Sequence, residues 1–399
     1  MPWKASSLIE ERLRFVKLVL RAREAFTDLC RRFGISRTAG YKWKGRFLDR
    51  GRRGLQDGSR RPHRAPQQIR PRWIDWIRRL RLRHRSWGAR KIDGWLSRRY
   101  PRTGLPSERT IATWLQRMKL VPGRRRRRRG PWLERAALTQ PQKPNEVWTI
   151  DFKGWFRTGD GQRIEPLTVR DLFSRYGLAV HWLRSQRWQP VRGVMAGLFR
   201  RYGLPEVIRV DNGTPFGSTG PAGLSRLSAW WTGLGIRVEF IEPGHPEQNG
   251  AHEQFHRVLK RETARPPARS ARAQQRRSRL WRIQYNQVRP HEALGQRVPA
   301  SVYRRSPRSY PPPRKEWKYP AHWSTRRVRT NGEVKWQGRK RFLGEAFVGT
   351  RVGLQPLRPG VYAVYFRQVM LGQMHATDVS GLRPTAYARR RLHASEAKV

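Results

Sequence analysis

The chain has 399 residues, 37% of them hydrophobic, which is enough for two to four domains with a sizeable core. Lys and Arg number 87 against 28 Asp and Glu, and a formal net charge of +59 requires a polyanionic partner, for which nucleic acid is the natural candidate. A single cysteine, Cys30, excludes internal disulfides and sites built on two thiolates. The first residues lack the apolar run of a secretory signal, and no stretch of about 18 apolar residues occurs, so the expectation is a soluble, cytoplasmic, nucleoid-associated protein without a membrane partner.

Residues 1–60 form a first domain in which 8–48 read as helices, with a helix, a turn centred on Gly34 and a second helix capped by Ser36. This is the pattern of a helix-turn-helix, whose second helix enters the major groove. Arg37, Thr38, Lys42, Lys44 and Arg46 are its candidates for reaching phosphates or bases. An ordinary helical hairpin shares the apolar spacing, and the charge favours DNA binding. A Gly/Arg/Pro-rich stretch from Gly51 to Pro66 precedes a second helical, helix-turn-helix-like segment over residues 67–122. There Gly88–Ile92 leads into one helix, and Ser107 caps another.

Residues 123–144 form a basic linker. The run from Arg124 to Arg129, including Arg124, Arg125 and Arg126, cannot pack in a core and is expected to meet solvent or phosphate. From Asn145 the periodicity changes. Strands are expected at Val147–Phe152, Leu167–Asp171, Tyr176–Trp182, Glu206–Asp211 and Arg237–Ile241, with a helix from Gln189 to Tyr202. Three strands followed by alternating helices and strands indicate an α/β layer domain over 145–300. Residues 301–323 read as a Pro/Arg-rich linker. Short β runs at Arg327–Arg329, Glu333–Trp336, Arg351–Leu354 and Tyr362–Phe366 predict a small β-barrel over 324–375, followed by a disordered tail over 376–399.

Two acidic residues stand at the ends of apolar strands, Asp151 and Asp211, and Asp211 is followed by the turn-forming Asn212-Gly213. Glu253 lies on a helix expected from about Ala251. On that helix Phe255, Val258 and Leu259 fall on one face, and Glu253, His256, Arg257 and Lys260 on another. Converging carboxylates suit a hard cation such as Mg²⁺, which takes few protein oxygens and shares phosphate ligands. Alone, an acid at a strand end is more often a cap or turn residue; the combination carries the reading. Asp160 and Asp171 are expected to serve turns, Glu239 and Glu242 to be solvated, and the tryptophans to be mostly core.

The segments Trp148-Thr149-Ile150-Asp151-Phe152, Val210–Phe216 and Gln248–Lys260 resemble the three signatures of the DDE transposase and retroviral integrase superfamily. Tyr285-Asn286-Gln287-Val288-Arg289-Pro290-His291-Glu292-Ala293-Leu294 resembles the segment closing the catalytic core in bacterial insertion-sequence transposases. The resemblance covers residues 145–300 in detail. It implies a ribonuclease-H-like α/β catalytic core, which with the N-terminal helix-turn-helix units and the small C-terminal β-barrel read above makes a multidomain α+β protein. It also implies Mg²⁺ or Mn²⁺ held by Asp151, Asp211 and Glu253, and DNA 3′-end cleavage and strand transfer by a homo-oligomer on double-stranded transposon ends and target DNA. Asn249, His256, Arg257 and Lys260 are further candidates for contact with DNA. Glu247 stands at the spacing from Asp211 that many members show, and Glu253 six residues beyond it. Glu253 is chosen because it follows Asn249-Gly250 within a helix, whereas Glu247 sits in a Pro/Gly loop. No zinc-binding head is expected. The rival reading is a catalytically inactive DNA-binding regulator derived from such an enzyme.

Overall fold

The computed structural model describes residues 8–58, 69–101, 103–121, 138–242, 245–312, 317–379 and 381–384. The chain divides into two compact units, residues 1–69 and 70–399.

The first unit is built from α1 (Leu8–Arg21), α2 (Phe26–Arg32) and α3 (Arg37–Arg50). Gly34 adopts φ 63° in the turn, a conformation that favours glycine, and the Ser36 hydroxyl accepts from Ala39 N at 3.2 Å to cap α3. Phe15, Val16, Leu29, Cys30, Trp43 and Leu55 form its core, and the Arg12 guanidinium lies 3.8 Å over the Trp43 ring. Gly40 is where α3 crosses its neighbours. A Cβ there would stand 2.8 Å from Cys30 Sγ and 2.9 Å from Phe26 Cζ. Gly40→Ala should therefore lower the unit's stability by about 1–3 kcal/mol through overpacking, despite the better helix propensity of alanine. Calorimetry of the full chain would read this as an earlier first transition; an unchanged one would mean the helices can spread at no cost.

The second unit opens with α4 (Pro71–Arg83), α5 (Ala89–Arg99) and α6 (Glu108–Arg117), the last capped by Ser107 as expected. Then come β1 (Val147–Phe152), β2 (Phe156–Arg157), β3 (Arg163–Asp171), β4 (Gly177–Leu183), α7 (Trp188–Tyr202), β5 (Val207–Val210), α8 (Arg226–Gly233), β6 (Arg237–Phe240), α9 (Gly250–Thr263), α10 (Ala271–Gln287) and α11 (Pro299–Val302). In the sheet β3 pairs antiparallel with both β4 and β1, and β1 runs parallel to β5, which runs parallel to β6. One face carries α7 and α8 over Trp148, Ile150, Val169 and Phe216; the other carries α9 and α10, with Phe255 and Leu259 over Ile164, Val180 and Trp182. Asp171, expected in a turn, is buried and accepts from Asn145 N and Ser174 N, each at 2.7 Å.

Residues 301–312 do not behave as a linker. Tyr303 is buried and stacks on Tyr176, Ser306 N donates to Tyr202 O at 2.9 Å, and Arg308 donates to Gly235 O at 2.7 Å. Aromatic anchors between the prolines hold this stretch against the core.

The C-terminal part comprises β7 (Ser324–Arg327), β8 (Glu333–Trp336), β9 (Arg339–Phe342), β10 (Arg351–Arg358), β11 (Val361–Phe366) and β12 (Val369–His375). It is all-β, but it is not a closed barrel. The order β12–β11–β10–β7 makes an open four-stranded sheet, and β8 and β9 pair only with each other. The hydrogen-bond ladder stops at β7, whose four residues, two of them arginines, are all exposed, which is how an edge strand avoids further pairing. The disorder expected after residue 375 does not hold for residues 381–384, because Arg383 bridges to Gln373 and its guanidinium pairs with Asp378 at 2.7 Å.

Candidate active site

Alternation along β1 sets the site. Trp148 and Ile150 enter the core beneath α7, so Thr149 and Asp151 face α9. Parallel pairing puts Val147 opposite Val207 and Thr149 opposite Arg209, and the same register carried two residues on sets Asp151 beside Asp211. Both carboxylates thus stand at the carboxyl ends of adjacent parallel strands. Gly213 leaves the carboxylate room, since a Cβ there would lie 3.3 Å from Asp211 Oδ2 and press on it.

Burial, and then the neighbouring Asp211, push the Asp151 carboxyl up to about 7, against the Phe152 backbone N–H and Lys153, which favour its ionised form; Glu253 adds a smaller upward push. Burial also raises Asp211, whose Oδ1 is buried without a hydrogen-bond partner. Two desolvated carboxylates, one with an orphaned oxygen, form a donor set that a divalent cation fits: oxygen ligands, surplus negative charge and no competing internal cation bonded to them. Glu253 lies in the first turn of α9 and is exposed.

Sequence reasoning missed a buried polar chain beneath Asp151. His252 Nδ1 meets Thr149 Oγ1 at 2.7 Å, His252 Nε2 and His256 Nε2 each meet Thr168 Oγ1 at 2.6 Å, and His256 Nδ1 stands 3.7 Å from Asp151 Oδ2. Burial, reinforced by His256 and Arg170, lowers His252 far below the usual range; burial, with Lys153 and Arg170, lowers His256 to about 3, so both rings are neutral near pH 7. Thr168 Oγ1 also donates to the Asp151 carbonyl oxygen at 3.1 Å. With its one proton used there, the hydroxyl accepts from both His252 Nε2–H and His256 Nε2–H, Thr149 donates to His252 Nδ1, and the unprotonated His256 Nδ1 faces Asp151. The cue in the sequence was the pair Thr149 and Thr168, polar residues at inward positions of apolar strands. Thr168→Val keeps the shape but strands two imidazoles, and should cost about 2–3 kcal/mol, checked by urea denaturation. A loss below about half that would mean water replaces the hydroxyl.

His256, expected on the exposed face of α9 with Glu253, is 4% exposed and belongs to this chain. The buried face runs through His252, Phe255, His256 and Leu259, one residue out of phase with the expectation, because two histidines found partners on the sheet. Asn249, also expected to touch DNA, is buried at the N-cap of α9. Arg257 and Lys260 are exposed as expected. Arg37, Thr38 and Lys42 are exposed on α3, while Lys44 and Arg46 are half-buried, with Arg46 5.3 Å from the Trp43 ring centre. Tyr41, exposed on the same helix and stacked on Phe26, had not been singled out. Glu239 is not solvated: it pairs with buried Arg209 at 2.7 Å and accepts from Thr139 N at 3.0 Å. Arg124, Arg125 and Arg126 lie outside the described residues. Asp151, His252 and His256 offer ligand atoms within 4.8 Å of one another, but both nitrogens of His252 are held by threonines, which argues against it as a ligand.

The family models match this core and the segments on either side of it. Residues 141–246 and 234–299 match the integrase core domain, 11–63 a helix-turn-helix domain, 39–115 a homeodomain-like domain, and 323–379 the C-terminal domain of IS481 family transposases. The chain is 31% identical over 188 residues to the 31.7 kDa protein of insertion element IS407 from Burkholderia multivorans, covering 45% of this chain and 63% of that protein. It is also 31% identical over 242 residues to the 39.2 kDa protein of insertion element IS476 from Xanthomonas euvesicatoria, covering 60% of this chain and 65% of that protein. The matched region thus spans just under two thirds of either relative. The magnesium-bound catalytic core of HTLV-2 integrase aligns with 15% identity and a TM-score of 0.33, over 41% of this chain and 100% of that one, a likeness too low to carry weight. The integrase-core matches, the IS481-type C-terminal match and the two insertion-element relatives together support a bacterial insertion-sequence transposase of the DDE kind. Among the described residues no helix is long and apolar enough to cross a membrane.

Proposed function

We propose that the protein is a metal-dependent DNA transposase that cleaves the 3′ ends of its element and joins them to target DNA. The observation carrying this reading is the pair of desolvated carboxylates, Asp151 and Asp211, at neighbouring strand ends, with an orphaned oxygen that a cation would satisfy. Asp151, Asp211 and Glu253 would hold the ions, Mg²⁺ or Mn²⁺. When bound, such ions make a water or a 3′-hydroxyl a better nucleophile and stabilise the leaving oxygen of an in-line displacement. The Thr149–His252–Thr168–His256 chain orients Asp151 from below. Arg257 and Lys260, exposed on the helix that carries Glu253, are placed to hold the DNA backbone. The helix-turn-helix of the first unit reads the element's ends through α3, and the arginines of residues 124–129 add sequence-independent affinity. The segment over 301–312 belongs to the core, and Thr139, within the stretch read as a linker, is bonded to Glu239 of the core. Action as a homo-oligomer on paired ends follows from the family.

The test is strand transfer with the element's own flanking ends and a plasmid target, in Mg²⁺ and in chelator. Joined product in Mg²⁺ alone is the expected result. Binding of the ends without any joining in Mg²⁺ would instead favour a DNA-binding regulator whose core no longer reacts.

A further inference from the structure

A cleft of about 510 Å³ lies on the flank of α9 away from Glu253, walled by Phe255 and Tyr285 and lined by Lys91 from α5, Arg170 at the end of β3, Arg175 in the following turn, and His291. Two motifs that the carboxylate site leaves unused meet here. Gly88–Ile92 comes from the helical segment and Tyr285–Leu294 from the end of the core. They are joined where Lys91 Nζ donates to Pro290 O at 2.9 Å and Arg98 donates to Val288 O at 3.1 Å.

The charges inside are unbalanced. Arg170 is 3% exposed, its Nη1 donates to the Ala251 carbonyl, and its Nε is buried without a partner. His291 Nε2 is likewise buried and unbonded. Asp171, next along the chain, lends Arg170 some compensation, but its oxygens are taken by Asn145 and Ser174. Burial and the nearby Arg289 push the Lys91 ammonium down to about 8, and Arg289 itself is committed to Glu262 at 3.2 Å. Glu292, on the rim, turns to Arg90 outside. A buried guanidinium with no bonded anion bears the cost of desolvation without the Coulombic return that an ion pair gives. An anion from outside would supply it, and guanidinium groups match phosphate oxygens in geometry as well as charge.

We propose that this cleft binds a phosphate of a DNA strand, with Arg170 and Arg175 donating to its oxygens and Lys91 adding charge at the mouth. The assignment rests on the reading of the protein as a DNA-processing enzyme. It makes α9 a divider, with the ion site on one flank and a backbone clamp on the other.

The test needs neither metal nor turnover. In chelator, inorganic phosphate should raise the melting temperature of the full chain beyond chloride at equal ionic strength, and the rise should vanish in Lys91→Gln/Arg175→Gln and in Arg170→Met. For a labelled duplex of the element's end, the slope of log Kd against log salt should fall by about one in the double variant. Unchanged phosphate response and slope in the rim variants would overturn the proposal, as would an Arg170→Met chain that melts early while the rim variants behave as wild type, since Arg170 would then be purely structural. A phosphate response with an unchanged DNA slope would overturn the DNA assignment and leave a small-phosphate site. A wild type that binds as expected but never joins strands sinks only the catalytic reading, and an active enzyme whose rim variants ignore phosphate and salt sinks only this one.

Discussion

Asp211→Asn is expected to abolish strand transfer, by about a thousandfold or more, and to raise the melting temperature of the metal-free protein. The first half follows from losing one of the charges that bind the ion. The second follows from what the charge costs when no ion is present. Asp211 is desolvated, has an orphaned oxygen, and lies close enough to raise Asp151. An amide removes that repulsion and offers its own N–H. The same logic fixes the pH dependence. An acid whose folded pKa is raised binds its proton more tightly when folded, so its contribution to stability is fully present below the unfolded value near 4. It is then lost as pH rises through the folded value, about 7 for Asp151. Without metal the melting temperature of the wild type should therefore fall relative to that of Asp211→Asn between about pH 4 and pH 7, the two carboxyls together accounting for a few kcal/mol at most, while the buried neutral His252 and His256, which gain stability over the same range, act alike in both proteins. Saturating Mn²⁺ should flatten that fall, because the ion replaces the proton. Melting curves of wild type and Asp211→Asn across this range, with and without Mn²⁺, decide it: a metal-free wild type that loses nothing relative to Asp211→Asn from pH 4 to pH 7 would mean the two carboxylates are not crowded.

Glu253→Gln should cost about a hundredfold or more in joining, and Glu247→Gln less than about threefold. Glu253 is exposed in the first turn of α9, on the helix whose inward face is fixed to the sheet by His252 and His256, and its charge is felt at Asp151. It can therefore complete an ion site without being buried, and an exposed ligand bears little cost when the ion is absent. Glu247 lies in the 3₁₀ turn Pro246–Asn249 before the helix. The two variants should be separated by joining rate and by the Mn²⁺ concentration for half-maximal activity. Equal losses would make the loop residue a second ligand, and loss in Glu247→Gln alone would transfer the role to it.

The places of the two strand-end carboxylates were legible because they obey local rules. Strand alternation and two turn signals placed Asp151 and Asp211, and the Asn249-Gly250 step marked the start of α9. The chain Thr149–His252–Thr168–His256 was not legible, since it depends on β3 lying between α9 and the carbonyl of Asp151, a tertiary contact with no periodic trace. Helical spacing alone put His256 on the wrong face, because histidine buries readily once a hydroxyl awaits it. The edge at β7 escaped for a related reason: short β runs separated by glycines fit an open sheet and a closed barrel equally well, and only the pairing of β8 with β9 separates them. Residues 301–312 carry the composition of a linker, and the aromatic anchors that dock them are visible only against the surface they meet.

The interior of the C-terminal sheet is shared with the core: Leu224 and Ala229, in and just before α8, are buried in the same cluster as Val334, Trp336, Phe347 and Phe366. A protein trimmed to the catalytic domain at residue 300 or 312 would leave that apolar patch wet and the Arg226–Glu345 pair without its partner. Truncation is thus a poor way to isolate the strand-end carboxylates for study. A fragment running from Leu138 to about Pro384 is the smallest C-terminal piece that keeps both faces of α8 covered.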